Sequence, residues 1–337
     1  MTTVLITGAA GFIGFSAAKR LLSEGYCVVG LDCLSDYYDA TLKEARLAIL
    51  NEFEGFRHVL GKVEDPGLLM QLFKKERPNV VVHLAAQAGV RYSIENPRAY
   101  LESNLIGTFE LLEAARSFPP RHMLLASTSS AYGANTEMPY QEMQKADHQV
   151  SFYAATKKST ENMAHSYAHL FGLPITMFRF FTVYGPWGRP DMAPYKFTKA
   201  ILNCETIDVY NYGDMKRDFT YIEDLVEAIW LLIDVVPVRP ADGVVPEGDS
   251  LSPVAPWRLV NIGNSNAVKL TDFIEAIEEA VGLKANSNFM PMQAGDVVAT
   301  WADATLLKSL TGYQPNTSVR DGMNEFVKWY REFYGNL

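Results

Sequence analysis

The first half of the chain alternates short apolar runs with longer stretches in which apolar residues recur every three or four positions. Runs that are apolar at nearly every position are typical of strands buried on both faces of a parallel sheet, and the longer stretches are typical of amphipathic helices. The predicted strands cover residues 4–7, 27–31, 56–60, 80–84, 123–126 and 175–180. The alternation of strands and helices predicts an α/β fold, a doubly wound parallel sheet of the Rossmann-like kind.

This rhythm ends after Phe181, where loops rich in proline, glycine and aromatic residues begin. Helices are predicted over 194–203, 222–236, 270–281 and 319–333, and the five prolines within 237–256 predict an exposed connection. We expect a first domain over residues 1–180 and a smaller α/β lobe over 181–337 that closes over a ligand, with the chain crossing between the lobes after residue 181.

Composition and charge narrow the classes of function. The chain has 337 residues, of which 48% are hydrophobic and 20% charged, as in compact globular proteins. Thirty Lys and Arg residues against 39 Asp and Glu residues give a formal charge of −9, which opposes nucleic-acid binding. The start of the chain lacks a basic leader pattern, and no apolar run is long enough to cross a bilayer, so no membrane partner and a cytoplasmic location are expected.

A glycine-rich turn follows the first predicted strand and opens an amphipathic helix. It contains Gly8, Gly11 and Gly14 in Gly-x-x-Gly-x-x-Gly spacing. In this context the backbone can approach a pyrophosphate, which binds the amides at the helix start, including those of Phe12 and Ile13. Asp32 follows Gly14 by 18 residues at the end of the second strand, where a carboxylate binds ribose hydroxyls and repels a 2′-phosphate. The pattern predicts NAD rather than NADP.

An acid–base group is predicted at the start of a later helix. Tyr153 and Lys157 are four residues apart, so they share one helix face. A neighbouring ammonium lowers the pKa of a tyrosine, which makes Tyr153 a candidate general base or acid for a substrate hydroxyl. A hydroxyl cluster of Thr128, Ser129 and Ser130 follows the strand over 123–126, at the sheet edge where open α/β sheets bind ligands.

These motifs together resemble the extended short-chain dehydrogenase/reductase superfamily in its nucleotide-sugar epimerase branch. They are the glycine turn, Thr128 placed 25 residues before Tyr153, the Tyr-x-x-x-Lys pair, and the segment Arg-Asp-Phe-Thr-Tyr-Ile-x-Asp over 217–224. The segments over 179–192, 209–213 and 293–297 are most similar to UDP-glucuronate 4-epimerases. The resemblance covers nearly the whole chain and implies an NAD-dependent isomerase acting on a UDP-sugar.

The resemblance also implies a role for each matching residue. Tyr153 would take the proton from the sugar O4, Thr128 would hydrogen-bond O4, and Lys157 would hold the nicotinamide ribose. Ala85, Ala86 and Gln87 would neighbour the cofactor. Arg217 would pair with the UDP pyrophosphate and Asp296 would bind the uridine ribose. Met192, Val209 and Tyr210 would flank the uracil.

The substrate carboxylate separates this activity from related ones. A 4-keto uronic acid is prone to lose CO2, so an epimerase must hold the carboxylate, and Ser129, Ser130, Thr182 and Arg189 are the candidates. By the resemblance, 4,6-dehydratases have acidic residues at the positions of Ser129 and Ser130. UDP-glucuronate decarboxylases have a Glu at the position of Ser130. The UDP-galactose type generally has Asn at the position of Thr182. Three alternatives stay open: a UDP-glucose-type 4-epimerase, a decarboxylase, and an NAD-sensing binding protein.

Other residues receive more modest expectations. Lys62 stands where many relatives have an adenine-contacting Asp, so that contact is in question. His83 is expected to be a packed, hydrogen-bonded residue, and His165 and His169, four apart on one helix, lack a third metal ligand. No metal is predicted. The resemblance further implies a homodimer whose interface pairs the helix after Pro97 with the helix that begins near Tyr153.

Overall fold

A computed structural model describes residues 2–293 and 297–335. Its strands are β1 (Thr3–Thr7), β2 (Cys27–Asp32), β3 (Phe56–Leu60), β4 (Val80–His83), β5 (His122–Ala126), β6 (Ile175–Phe180), β7 (Thr182–Tyr184), β8 (Thr206–Val209), β9 (Lys216–Tyr221), β10 (Trp257–Ile262), β11 (Ala267–Lys269), β12 (Asn286–Phe289) and β13 (Ala299–Thr300). None of the helices in these ranges is long and apolar enough to cross a membrane.

The helices are α1 (Phe12–Ser23), α2 (Ala40–Asn51), α3 (Leu68–Glu76), α4 (Tyr92–Glu95), α5 (Pro97–Tyr100), α6 (Gly107–Ser117), α7 (Phe152–Phe171), α8 (Ala193–Leu202), α9 (Ile222–Leu232), α10 (Leu270–Val281), α11 (Thr305–Thr311) and α12 (Val319–Tyr334). A π-helical stretch, Leu101–Ile106, joins α5 to α6, and a short 3₁₀ turn, Ser129–Tyr132, follows β5.

Seven strands form one parallel sheet in the order β10-β6-β5-β4-β1-β2-β3. The strands are buried on both faces of this sheet. In β1, Val4, Leu5 and Ile6 are each at most 1% exposed, and two separate apolar clusters cover the two faces of the sheet. Such strands need helices on both sides. The predicted doubly wound parallel sheet is confirmed.

The strand order reverses between the parallel strands β1 and β4: the chain continues from β1 to β2 on one side and from β4 to β5 on the other. In open α/β sheets a ligand crevice opens at this point, beyond the carboxyl ends of the strands. The glycine turn after β1 and the segment over 84–89 after β4 therefore meet at the crevice.

The second half of the chain forms a smaller sheet in which β9 pairs with β7, β11 and β13, beside a β8–β12 pair. It also returns to the large sheet, because β10 pairs in parallel with β6. The strand β10 was not among the predicted strands. One expectation is wrong in part: the connection over 237–256 is not exposed throughout, because Ser250, Leu251, Ser252 and Ala255 at its end are buried.

Candidate active site

The glycine turn lies tightly against its neighbours. Gly8 has φ of +75°, and a Cβ on it would lie 2.8 Å from the backbone nitrogen of Ala85. A Cβ on Gly14 would lie 2.0 Å from the Gly8 carbonyl oxygen, so α1 can pack this closely only with glycine there. The turn thus brings bare backbone and the amides at the start of α1 to the crevice.

Asp32 lies beside this turn at the end of β2. Its Oδ2 accepts a hydrogen bond from the Ala10 amide at 2.9 Å, and its Oδ1 accepts one from the Leu34 amide at 2.8 Å. The carboxylate is thereby fixed next to the predicted pyrophosphate site, and the residues present fit a dinucleotide. Lys62 is exposed, and its amide donates to Asp65 at 2.8 Å.

The segment after β4 is held by a residue that the sequence analysis missed. Buried Asn104 accepts from the Gln87 amide at 2.9 Å and donates to the Gln87 carbonyl at 3.1 Å and to the Thr156 hydroxyl at 3.0 Å. It therefore ties the backbone that carries Ala85, Ala86 and Gln87 to α7. Asn104 sits in the π-helical stretch, a distortion frequent at functional sites, and a lone Asn in an apolar helix face was the available signal.

Tyr153 and Thr128, two predicted site residues on different elements, are hydrogen-bonded to each other in the structure. The Ser151 hydroxyl caps α7 by accepting from the Ala154 amide at 3.1 Å, which places Tyr153 in the first turn. Thr128 follows β5, and its Oγ1 accepts from the Ser130 amide at 3.2 Å. Burial raises the pKa of Tyr153 above its usual value, and the hydrogen bond from the Thr128 hydroxyl and the positive charge of Arg189 offset only part of that rise. The edge-on ring of Tyr100 lies 5.9 Å from the Tyr153 ring.

Lys157 lies one turn further along α7 and is 3% exposed. Burial lowers its pKa to about 8, and the nearby Glu161 carboxylate acts in the opposite direction. His83 is buried as expected, with Nδ1 2.7 Å from the Thr7 hydroxyl. Burial, and secondarily the charge of Lys157, lowers the pKa of His83 to about 3, so this imidazole is neutral and is no acid at pH 7.

Arg189 reaches the same crevice from the loop before α8. Its Nε and Nη2 form a bidentate pair with Asp191 at 3.0 and 2.5 Å, and the Tyr37 hydroxyl donates to the same carboxylate at 3.3 Å. The positive charge of Arg189, the predicted carboxylate-binding residue, acts to lower the pKa of Tyr153, against the larger effect of burial. Asp191 and Tyr37 were not among the predicted site residues, although Asp191 lies within the segment over 179–192.

The remaining predicted substrate residues lie on several elements. Ser129 and Ser130 form the 3₁₀ turn after β5, and Thr182 begins β7, which pairs with β9. Arg217 lies on β9, and its Nη1 donates to the carbonyls of Lys216 and Val298 at 2.9 and 3.1 Å. Asp296 falls outside the described residues.

The predicted uracil neighbours differ in exposure. Met192 precedes α8 and is half-buried, whereas Val209 is fully buried in the core. Tyr210 is half-buried, with the Arg91 guanidinium 5.3 Å from its ring centroid.

His165 and His169 hold the end of the 237–256 connection. His165 Nε2 lies 2.8 Å from the Ser252 hydroxyl, and His169 Nδ1 lies 2.9 Å from the Val254 carbonyl. Within residues 2–293 and 297–335 no group of three or more His, Cys, Asp or Glu side chains is arranged to hold a metal.

Residues 5–326 match the family described as GDP-mannose 4,6 dehydratase. The chain belongs to this family of short-chain dehydrogenases/reductases. It is 54% identical over 332 residues to a probable UDP-glucuronate 4-epimerase of Rhizobium meliloti, covering 98% of this chain and 97% of that protein. It is 44% identical to UDP-glucuronate 4-epimerase 4 of Arabidopsis thaliana, over 98% of this chain and 76% of that protein.

A solved structure has the same fold. The UDP-glucuronic acid 4-epimerase of Bacillus cereus, in complex with UDP-glucuronic acid and NAD, superposes with a TM-score of 0.88 at 31% identity. The match covers 99% of this chain and all of that chain. The resemblance stated from the motifs is confirmed.

Proposed function

We propose that this protein interconverts UDP-glucuronate and UDP-galacturonate by epimerisation at C4, using bound NAD. The observation that carries the proposal is that Tyr153, which is hydrogen-bonded to Thr128, lies within the electrostatic influence of the Arg189 guanidinium. A single bound sugar would then contact Tyr153 through its hydroxyl and Arg189 through its carboxylate. The names of the relatives and the complex of the B. cereus enzyme support the same substrate and cofactor.

The cofactor would be held by residues of the two segments that meet at the crevice and by α7. These are Gly8, Gly11, Phe12, Ile13, Gly14, Asp32, Ala85, Ala86, Gln87, Tyr153 and Lys157. Bound there, NAD would supply the reversible hydride transfer at C4 of the sugar. The rest of the chemistry falls to the side chains of this chain.

Tyr153 takes the proton from the sugar O4 and later gives it back. Thr128 Oγ1 already accepts from the Ser130 amide, so its own proton can be donated to Tyr153 or to O4. Buried Lys157, as an ammonium, stabilises the phenolate form of Tyr153 and holds the nicotinamide ribose. This arrangement makes the proton transfer reversible, as an epimerase requires.

The UDP moiety and the uronate carboxylate need separate contacts. Arg217 would pair with the pyrophosphate, Asp296 with the uridine ribose, and Met192, Val209 and Tyr210 with the uracil. Ser129, Ser130, Thr182 and Arg189 would hold the carboxylate and so prevent loss of CO2 from the 4-keto sugar. The bidentate contact with Asp191 fixes the plane of the Arg189 guanidinium before substrate arrives.

The deciding experiment is incubation of the purified protein with UDP-glucuronate, with the products followed by NMR. UDP-galacturonate is the expected product. UDP-xylose would mean a decarboxylase, turnover of UDP-glucose alone would mean a neutral-sugar 4-epimerase, and intact NAD with no turnover of either sugar would mean an NAD-sensing binding protein. Each of these three results would overturn the proposal.

The protonation of Lys157 sets a limit on activity at high pH. Its pKa is lowered from 10.5 to about 8, so the ammonium is present below pH 8 and is lost as the pH rises through that value. We expect kcat/KM for UDP-glucuronate to fall on the alkaline side of about pH 8. A pH profile checks this, and activity that stays flat to pH 10 would contradict it.

The homodimer is also a proposal. Apolar side chains are exposed on the segment over 94–109 and on α7, namely Ile94, Leu101, Ile106, Phe109, Phe152, Leu170 and Phe171. A charge placed among them should disrupt the contact because it would be buried there without a partner. We expect Phe109→Glu to shift the protein from dimer to monomer in analytical ultracentrifugation. Val238→Glu, at an exposed apolar residue elsewhere, is the control, and a monomeric unmodified protein would refute the interface.

The division into a cofactor domain over 1–180 and a UDP-sugar lobe over 181–337 stays a prediction, as does the cytoplasmic location.

A further inference from the structure

A buried ion cluster lies next to the proposed acid–base residues Tyr153 and Lys157, on the same helix. Its centre is Glu161 of α7, which is 1% exposed. The carboxylate accepts hydrogen bonds from the Ser127 hydroxyl at 2.6 Å, from Arg179 Nε and Nη2 at 2.8 and 2.7 Å, and from Lys158 Nζ at 3.0 Å. These donors come from the end of β5, from β6 and from α7 itself, so one side chain joins three elements.

Stability alone is a weak explanation for this cluster. Burying a carboxylate and a guanidinium costs desolvation energy, and the attraction between them offsets roughly that cost. Well-packed apolar residues at the same positions often stabilise a fold equally well. Burial raises the pKa of Glu161, but the Arg179 charge and hydrogen bonds outweigh that effect and hold it below its usual range. The carboxylate is therefore kept ionised in a buried position.

The partners of Glu161 are adjacent to the reacting groups. Ser127 immediately precedes Thr128, and the Ser127 amide also donates to the Phe178 carbonyl at 2.7 Å. Lys157 lies one helical turn before Glu161. The carboxylate thus fixes the end of β5 that carries Thr128 relative to the helix that carries Tyr153 and Lys157.

The same carboxylate is the anion that acts on Lys157. The other charged or titratable groups near Lys157 and Glu161 are neutral or positive: His83 of β4, Tyr153 and Lys158 of α7, Arg179 of β6, and Tyr132, whose ring lies 4.2 Å from the Arg179 guanidinium carbon. The elements packed against α7 also carry Tyr92, Glu95, Arg98, Tyr100, Glu102, Glu110, Glu113, Arg116 and Arg258. None of these nine is among the groups that move the pKa of Lys157.

We propose that Glu161 is a positioning residue for epimerisation: it aligns Thr128 with α7 through Ser127, and it places a buried negative charge one helical turn from Lys157. The inference rests on the proposed function for its catalytic consequence. The effect on Lys157 itself is independent of turnover.

The main test is Glu161→Gln, which keeps the shape of the side chain and removes its charge. Without that anion, Arg179 and Lys158 are left as uncompensated cations near Lys157, so the Lys157 ammonium is disfavoured. We expect its pKa to fall by one unit or more, roughly the effect of an opposite charge at close range. Two readouts measure this: the alkaline limb of the kcat/KM profile, and an NMR titration of the Lys157 side chain without substrate.

Asp249→Asn is the matched control. The Asp249–Arg258 pair is likewise bidentate, at 2.8 and 2.9 Å, and both side chains are 9% exposed, but it does not act on Lys157. We expect both variants to lower the melting temperature. Only Glu161→Gln should lower the Lys157 pKa and shift the alkaline limb of the kcat/KM profile to lower pH. Glu161→Asp, which keeps the charge, should return the limb towards that of the unmodified protein.

Ser127→Ala tests alignment without changing any charge, and remains informative if Glu161→Gln does not fold. We expect kcat to fall about tenfold, the low end of the loss of one hydrogen bond to a charged group, with KM and the alkaline limb unchanged. An unchanged kcat in Ser127→Ala, or an unchanged Lys157 titration in folded Glu161→Gln, would overturn the inference. An equal shift in Asp249→Asn would do so as well. Absence of turnover in the unmodified protein would instead overturn the proposed function, and the NMR titration would still test the charge effect.

Discussion

Tyr153→Phe is expected to reduce epimerisation by about 10³-fold, within the range that removal of a general acid–base group produces. The substitution deletes only the hydroxyl, which is hydrogen-bonded to Thr128 in the unmodified protein. The phenylalanine ring can keep its contact with Tyr100, so folding and the binding of UDP and NAD should stay near normal. Turnover of UDP-glucuronate by NMR, with calorimetry for UDP binding, measures both parts.

Tyr167→Phe is the matched control for this variant. Tyr167 lies on the same helix, and its hydroxyl donates to Glu113 at 2.6 Å, away from the crevice. We expect nearly full activity from it. If Tyr153→Phe retained more than a tenth of the original rate, Tyr153 would not be the base.

Arg189→Ala is expected to lower the ratio of UDP-glucuronate to UDP-glucose turnover by about 10²-fold, the usual size of the loss when one partner of a buried charge pair is removed. Only the uronate carries the carboxylate that the guanidinium would bind. The positive charge of Arg189 also lowers the pKa of Tyr153, so both sugars should lose some turnover, and the ratio cancels that shared part.

Two further variants define the cause of that loss. Arg189→Lys keeps the positive charge but loses the fork that contacts Asp191, so an intermediate ratio is expected. Arg320→Ala, at a more exposed arginine that pairs with Glu279 at 3.1 Å, should leave the ratio unchanged. Equal loss for both sugars in Arg189→Ala would remove this residue from the carboxylate site.

The sequence predicted elements well where the pattern is local. Residues 270–281 were predicted as a helix and form α10 with the same bounds, because apolar residues at helical spacing bury one face. The strand β10 was missed for a physical reason. It carries Arg258 among its apolar residues, which resembles an exposed segment, and the charge is accommodated only because Asp249 pairs with it.

The sequence by itself determined six of the seven strands of the large sheet, the glycine turn with Asp32, and the Tyr153–Lys157 face, because these depend on periodicity, capping and spacing within a few turns of chain. Only the tertiary structure decided what lies around them. Arg189 stands 36 residues beyond Tyr153 and acts on it, Asn104 joins the Gln87 backbone to α7, and Glu161 joins Ser127 to Arg179. These contacts depend on strand order and on loops from both halves of the chain, and nothing in local spacing encodes which distant charges share a buried space.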